Sequence, residues 1–282
     1  MLKFTELPED IIKVIIKFTD APIFTLSLVC SYFNTVVFAV KLLELNTQEY
    51  KKIRDQHIQK MTHLVSLNLN HNSDITNVGL HSLTSLKKLS LYGYTLITGG
   101  CVMRLTNLTH LNLGWNRHIP NDSLKNLTKL ETLVLCSNSL ITDKALILLT
   151  NLTDLDLSCN TAITDNSIMH LMNLKTLCLY RNSYISDISL SRLTNLTDLN
   201  VYANFKITDN SIEKLVNMVS LDLRYNHTIT VNSIFNLVNL KTIDITGNRL
   251  ISPKRIMNIK QSLTCMSDLK IIDDPFVVNR NT

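Results

Sequence analysis

A repeat of 22 residues runs through most of this chain and constrains its fold more than any other feature. Matching segments begin at Leu64, Leu86, Leu108, Leu130, Leu152, Leu174, Leu196, Met218 and Leu240. When each copy is numbered from its first residue, positions 4, 6, 17 and 20 are aliphatic throughout and position 12 is always isoleucine. A unit this short cannot bury its apolar side chains alone, so the periodicity predicts a solenoid of stacked units.

The spacing inside one repeat predicts a strand followed by a short helix. Positions 4 and 6 alternate as in a strand, whereas positions 17 and 20 have the three-residue spacing of a helix face. Threonine and aspartate precede the helical part, as in Thr164 and Asp165, and suit a helix N-terminus. Position 9 is asparagine in eight of nine copies, and Tyr94 is the exception. We expect its amide to bond backbone groups where the chain leaves the strand.

This pattern, L-x-x-L-x-L-x-x-N-x-x-I-T-D, resembles that of the leucine-rich repeat family from Leu64 to about Ile259. The resemblance implies an α/β solenoid with a curved parallel sheet on its concave face and short helices on its convex face. Residues 64–261 then form nine repeats, and residues 42–63 form a degenerate N-terminal capping repeat. Residues 262–282 form a C-terminal cap, because Met266, Leu269 and Ile271 restart the strand pattern.

Residues 1–41 do not follow the repeat and predict a separate module of three short helices. Leu7-Pro8-Glu9-Asp10 is typical of a helix start, and three short apolar segments follow. So small and apolar a module either caps the solenoid or hides part of its surface in a partner. The residues alone favour neither possibility.

The same segment resembles the F-box family, through Leu7 to Ile12, Ile15-Ile16, and Leu26 to Phe33. An F-box followed by leucine-rich repeats implies a substrate-recognition subunit of an SCF-type E3 ubiquitin ligase. The F-box would dock on a Skp1-like adaptor, and through it on cullin, while the repeats hold a protein substrate. The residues carried over to adaptor docking are Leu7, Pro8, Ile11, Ile15, Val29, Cys30 and Phe33. Two alternatives remain: an interaction scaffold without ligase coupling, and a pathogen decoy that binds the adaptor without delivering substrate.

The substrate is expected on the concave sheet face, at positions 3, 5, 7 and 8. Tyrosine, tryptophan and arginine are enriched at protein-binding hot spots. These positions supply the candidates Tyr92, Trp115, Tyr180, Arg181, Tyr202, Arg224 and Tyr225. The alternative is a self-satisfied surface in which Asp222 pairs with Arg224 and the tyrosines merely stack.

Other classes of function find no support in the sequence. The histidines fall at different repeat positions, and neither a phosphate-binding glycine loop nor a zinc motif is present, so we expect no enzymatic activity, metal or cofactor. The net charge of +5 is spread along the chain, which argues against nucleic-acid binding. Since neither a signal peptide nor an apolar membrane span is found, we expect a cytoplasmic or nuclear protein without membrane contact.

Overall fold

The computed structural model describes residues 44–49, 53–262 and 269–273. Within them lies a parallel sheet of eleven strands that follow one another in chain order. The strands are β1 (Glu44–Asn46), β2 (Ser66–Asn68), β3 (Lys88–Ser90), β4 (His110–Asn112), β5 (Thr132–Val134), β6 (Asp154–Asp156), β7 (Thr176–Cys178), β8 (Asp198–Asn200), β9 (Ser220–Asp222), β10 (Thr242–Asp244) and β11 (Lys270–Ile272). From β1 to β10 each residue pairs with the residue 22 places further on, as Leu155 does with Leu177. The predicted parallel solenoid is confirmed for these residues.

Short helical segments connect the strands. They are α1 (Asp55–Ile58), α2 (Asn77–Leu80), α3 (Gly99–Val102), α4 (Asp143–Leu146), α5 (Asp165–Ile168), α6 (Asp187–Leu190), α7 (Asp209–Ile212) and α8 (Pro253–Ser262). Turns of 3₁₀ helix lie at Thr47–Glu49, Asn121–Ser123 and Val231–Ile234. Threonine at position 13 caps several of them, since the Thr164 hydroxyl accepts a hydrogen bond from the backbone N–H of Asn166.

One hydrophobic core passes through all the described repeats. In the fifth repeat, the side chains at positions 4, 6, 12, 17 and 20 are at most 2% exposed; they are Leu155, Leu157, Ile163, Ile168 and Leu171. The equivalent side chains of neighbouring repeats join them in one cluster. Full burial of such a side chain contributes about 2 kcal/mol. Each repeat therefore depends on its neighbours for a closed core.

The asparagines at position 9 form a buried hydrogen-bond ladder, as the sequence predicts. Asn160 donates through Nδ2 to the carbonyls of Leu135 and Asn138, at 2.9 and 2.7 Å. Its Oδ1 accepts from the backbone N–H groups of Ala162 and Ile163, at 2.9 and 3.0 Å. One side chain thus fixes the exit from its own strand and ties it to the repeat before.

A second ladder runs along the helical side through the aspartates at position 14. The Asp143 carboxylate accepts from the backbone N–H and the hydroxyl of Thr164 in the next repeat, at 3.0 and 2.6 Å. The hydroxyl of the buried Ser167 donates to it as well. These aspartates lie in the first turn of a helix, as predicted, but their carboxylates also join consecutive repeats.

The two ends of the described sheet continue the repeat chemistry. Before the first full repeat, Leu45, Ile53, Ile58 and Met61 join the core, and Asp55 accepts from Thr76 as Asp143 does from Thr164. Beyond β10, β11 pairs with it through Ile243 and Ile271. The three helices predicted for residues 1–41, with all seven predicted adaptor-docking residues, lie outside the described residues.

Candidate functional site

Beyond each strand, the chain carries two further positions onto the exposed face of the sheet. Backbone hydrogen bonds continue there, since the N–H of Cys159 donates to Tyr180 O at 2.8 Å and that of Arg181 donates to Tyr202 O at 2.9 Å. Neighbouring side chains at positions 7 and 8 are therefore held about one strand spacing apart, roughly 4.8 Å. This spacing brings aromatic rings of adjacent repeats into contact.

Position 8 adopts the left-handed backbone conformation in all nine copies. The φ angles of His71, Trp115, Ser137, Cys159, Arg181, Ala203 and Tyr225 lie between 49° and 57°. Only Gly93 and Gly247, with φ of 76° and 68°, are residues that adopt this region freely. Each non-glycine residue there costs on the order of 1 kcal/mol, so large side chains are kept at this position against a backbone preference.

Five of the predicted candidates come together on repeats six to eight; we call them the tyrosine patch. The rings of Tyr180 and Tyr202 have centroids 4.8 Å apart, and those of Tyr202 and Tyr225 are 5.3 Å apart. Arg181 lies 5.3 Å from the Tyr180 centroid and Arg224 lies 5.0 Å from that of Tyr202. The patch is a continuous row of three rings flanked by two guanidinium groups.

Arg224 is already occupied by carboxylates of the sheet. Its Nη2 lies 2.6 Å from Asp222 Oδ2, its Nε lies 3.0 Å from Asp222 Oδ1, and Asp244 Oδ2 is 3.6 Å away. The hydrogen bonds to Asp222 raise the pKa of Arg224. The pairing considered from the sequence is therefore present, and the paired guanidinium lies over the Tyr202 ring.

The remaining candidates, Tyr92 and Trp115, line a separate concavity of about 640 Å³. We call it the N-terminal groove; its other lining residues are His71, Gly93, Tyr94, Arg117 and His118. The Tyr92 ring stands edge-on to His71 and the Tyr94 ring edge-on to His118, with centroids 5.3 and 5.2 Å apart. Trp115 is 51% exposed.

Small side chains separate the groove from the tyrosine patch. Positions 7 and 8 of the two repeats between them hold Cys136, Ser137, Ser158 and Cys159. Three strand spacings, roughly 14 Å, lie between the repeat of Trp115 and that of Tyr180. The seven candidates thus form two clusters on the exposed face.

Further aromatic residues at the strand exits extend this surface beyond the predicted positions. Phe205 is 58% exposed and stacks on His227 with centroids 6.1 Å apart, and Tyr94 and Tyr184 are 58% and 48% exposed. Of the nine Phe, Tyr and Trp residues in the described ranges, all but Phe235 occupy positions 7 to 11. These additional residues could have been found by aligning the repeats, provided that positions 9 to 11 were treated as surface positions.

The thiols on this face are suited to packing and not to nucleophilic chemistry. Burial raises the pKa of Cys136 to about 11 and also raises that of Cys178. A nucleophilic cysteine needs the opposite shift. Among the described residues there is no group of His, Cys, Asp or Glu side chains that could hold a metal ion, and no helix that could cross a membrane.

Comparison with known families identifies the repeat. A family model described as Leucine Rich repeat matches residues 60–84, 104–127 and 148–172. These units are leucine-rich repeats. No F-box model matches the chain, and no curated protein matches it either.

Solved structures with the same fold include three Listeria monocytogenes proteins. Internalin InlF is 26% identical, with a TM-score of 0.55 over 77% of this chain and 62% of InlF. Internalin C2 is 24% identical, with a TM-score of 0.52 over 78% of this chain and 92% of its own. The functional domain of InlJ, which includes a cysteine ladder, is 22% identical, with a TM-score of 0.54 over 85% of this chain and 50% of InlJ. This chain therefore spans less than two thirds of InlF and InlJ.

Proposed function

We propose that this protein is a leucine-rich-repeat interaction protein that binds a protein partner on the exposed face of its sheet. The observation that carries this proposal is the row of Tyr180, Tyr202 and Tyr225 in consecutive repeats. Tyrosine combines a large apolar ring with a hydroxyl group and loses little conformational entropy on binding, which makes it a frequent hot-spot residue. The likeness to internalin structures supports the scaffold.

The tyrosine patch is organised before any partner arrives. Its backbone is fixed by hydrogen bonds between repeats, and Arg224 is anchored by Asp222 and Asp244. A rigid surface loses less conformational entropy when a partner binds, so more of the contact energy contributes to affinity. Rigid aromatic rings beside charged groups favour a folded protein or a peptide over a small apolar ligand.

The test of this surface is comparative affinity capture with two variants of the full chain. In the patch variant, Tyr180 and Tyr202 become serine and Tyr225 becomes glycine, which its left-handed backbone accepts. The control is Phe235→Ser, which removes a 45%-exposed aromatic ring on the helical side. We expect a stoichiometric partner of the wild type to be retained by the control and lost by the patch variant. If both variants retain the partner equally, the tyrosine patch is not part of the interface.

We further propose that residues 1–41 dock a Skp1-like adaptor, so that the repeats deliver a bound substrate to an SCF-type ubiquitin ligase. This proposal rests on the F-box resemblance of Leu7-Pro8 and of Val29-Cys30 with Phe33. The chemistry would belong to the other ligase subunits, in keeping with a chain for which we propose no catalytic residue. The alternatives remain a scaffold without ligase coupling and a decoy that binds the adaptor only.

Co-expression with a eukaryotic Skp1 tests this finer proposal. We expect the full chain to co-purify with Skp1 in a one-to-one complex, and the Leu7→Ala/Pro8→Ala variant to lose it. The patch variant serves as the matched control, because it leaves residues 1–41 intact and should still bind Skp1. If the wild type is folded and does not bind Skp1, the adaptor proposal fails. The proposed protein-binding surface is then still tested separately, by affinity capture with the patch variant.

A further inference from the structure

The N-terminal groove combines exposed aromatic rings with a backbone that leaves room for them, as a binding site requires. Trp115 and Tyr94 expose about half of their surface, 51% and 58%, at the mouth of the concavity. Two glycines make room for the rings that line it. A Cβ on Gly93 would collide with the His71 ring, and one on Gly114 would lie 2.8 Å from Cδ2 of Tyr92. The rings are thus held against the backbone, and the groove needs no rearrangement to admit a ligand.

The charge of this region is cationic. At positions 2 to 11 of the first three repeats, the cationic side chains are Lys87, Lys88 and Arg117, with His71, His110 and His118 beside them. The only acid at these positions, Asp74, is 3.2 Å from Nη1 of Arg54 and so already has a counter-charge. At the same positions of the six repeats that follow, the acidic side chains are balanced by an equal number of lysines and arginines. The acids are Glu131, Asp154, Asp156, Asp198, Asp222 and Asp244, and the cations are Lys175, Arg181, Lys206, Arg224, Lys241 and Arg249. The excess of positive charge is therefore confined to the repeats that form the groove.

The three arginines beside the aromatic clusters, Arg117, Arg181 and Arg224, differ in what they can still bind. Arg224 is held by two carboxylates, whereas the guanidinium of Arg117 has neither an ion pair nor a hydrogen-bond partner among the described residues. A guanidinium offers five donors in a planar fork that matches a carboxylate. Arg117 at the rim of an aromatic groove is thus a site for an anionic group next to an apolar one.

We propose that the N-terminal groove is a second binding site, which takes an acidic peptide segment of a partner that also supplies one large apolar side chain. The apolar side chain packs between Trp115 and the two tyrosines, and a flanking carboxylate meets Arg117. A basic segment is disfavoured here by the net positive charge of these three repeats, whose one acid at positions 2 to 11, Asp74, is already paired with Arg54. This assignment goes beyond the proposed role of the tyrosine patch and stands on different residues.

Binding to the groove can be followed by tryptophan fluorescence, because Trp115 is the only tryptophan of the chain. The probe is a heptapeptide with a central phenylalanine and three acidic residues on each side. The matched peptide replaces the acids by asparagine and glutamine. We expect the acidic peptide to change Trp115 emission in a saturable way, to bind at least about threefold more tightly than the neutral peptide, and to weaken as salt screens the charges.

Three variants of the full chain make the test specific. Arg117→Gln should weaken the acidic peptide about threefold and leave the neutral peptide unchanged, as expected for an exposed ion pair. Arg192→Gln removes the same charge from the helical side and should change neither affinity. Trp115→Gly fits the left-handed backbone and, measured by calorimetry, should abolish binding of both peptides.

The proposal is overturned if the two peptides bind equally, if Arg117→Gln and Arg192→Gln behave alike, or if no saturable change is seen. The tyrosine-patch variant should bind the acidic peptide as the wild type does. Failure at this groove is therefore distinguishable from failure of the tyrosine patch.

Discussion

Replacement of Asn160 by alanine tests how much a single rung of the asparagine ladder contributes. The side chain is 1% exposed and makes four hydrogen bonds with backbone groups of two repeats. Leu135 O keeps the hydrogen bond from the backbone N–H of Asn138, but the N–H groups of Ala162 and Ile163 lose the acceptor that holds them. With about 1 kcal/mol net for each hydrogen bond, the expected loss is about 4 kcal/mol.

The matched control is Asn248→Ala in the last full repeat. Nδ2 of Asn248 is buried without a hydrogen-bond partner among the described residues, and Oδ1 accepts from the N–H groups of Leu250 and Ile251. Two hydrogen bonds instead of four give an expected loss of about 2 kcal/mol. Urea unfolding followed by far-ultraviolet circular dichroism measures both free energies of unfolding. Equal losses for the two variants, or a loss below about 1 kcal/mol for Asn160→Ala, would refute the ladder as the source of this stability.

Three further predictions concern the hydrophobic core, the left-handed backbone at position 8 and the thiols. Leu155→Ala should cost about 3 kcal/mol in urea unfolding, and Leu148→Ala, at a 50%-exposed site, close to none. Gly247→Ala should lower the free energy of unfolding by about 1–2 kcal/mol in the same assay, because the backbone of Gly247 is left-handed and a Cβ would lie 2.7 Å from Cε1 of Tyr225. An unchanged free energy of unfolding would contradict this prediction. Burial keeps the Cys136 thiol protonated up to a pKa of about 11, so mass spectrometry should show alkylation at pH 8 about 100-fold slower in the folded than in the urea-unfolded chain, with a rate that rises toward pH 11.

The repeat architecture could be predicted because each structural role recurs at a fixed interval. The aliphatic columns specify the strand register and the core, and the asparagine column specifies how the strand ends. Even the exception is explicable: where Tyr94 replaces asparagine, the neighbouring Thr95 is buried and its hydroxyl lies 3.4 Å from Nδ2 of Asn116. Periodicity makes such inferences strong, since every repeat must satisfy the same backbone groups.

The side-chain contacts within the two clusters could not be predicted in this way. Position 8 is left-handed throughout, yet it carries Trp115, Cys159 and Ala203 as well as glycine, so residue type gives no signal for that backbone. The sequence left open whether Arg224 pairs with Asp222, and the side-chain geometry shows that it does. Sequence columns specify which residues share a face, whereas charge pairing and ring contacts depend on distances in space.

Site-specific photo-crosslinking tests the central claim, that the exposed sheet face binds a protein partner, most directly. A photoreactive phenylalanine analogue is placed at position 202, within the tyrosine patch, or at position 235, on the helical side, and the cells that express the protein are irradiated. The account predicts a covalent adduct with a partner from position 202 and none from position 235. An adduct from position 235 alone would contradict it and would place the binding surface on the helical side of the repeats.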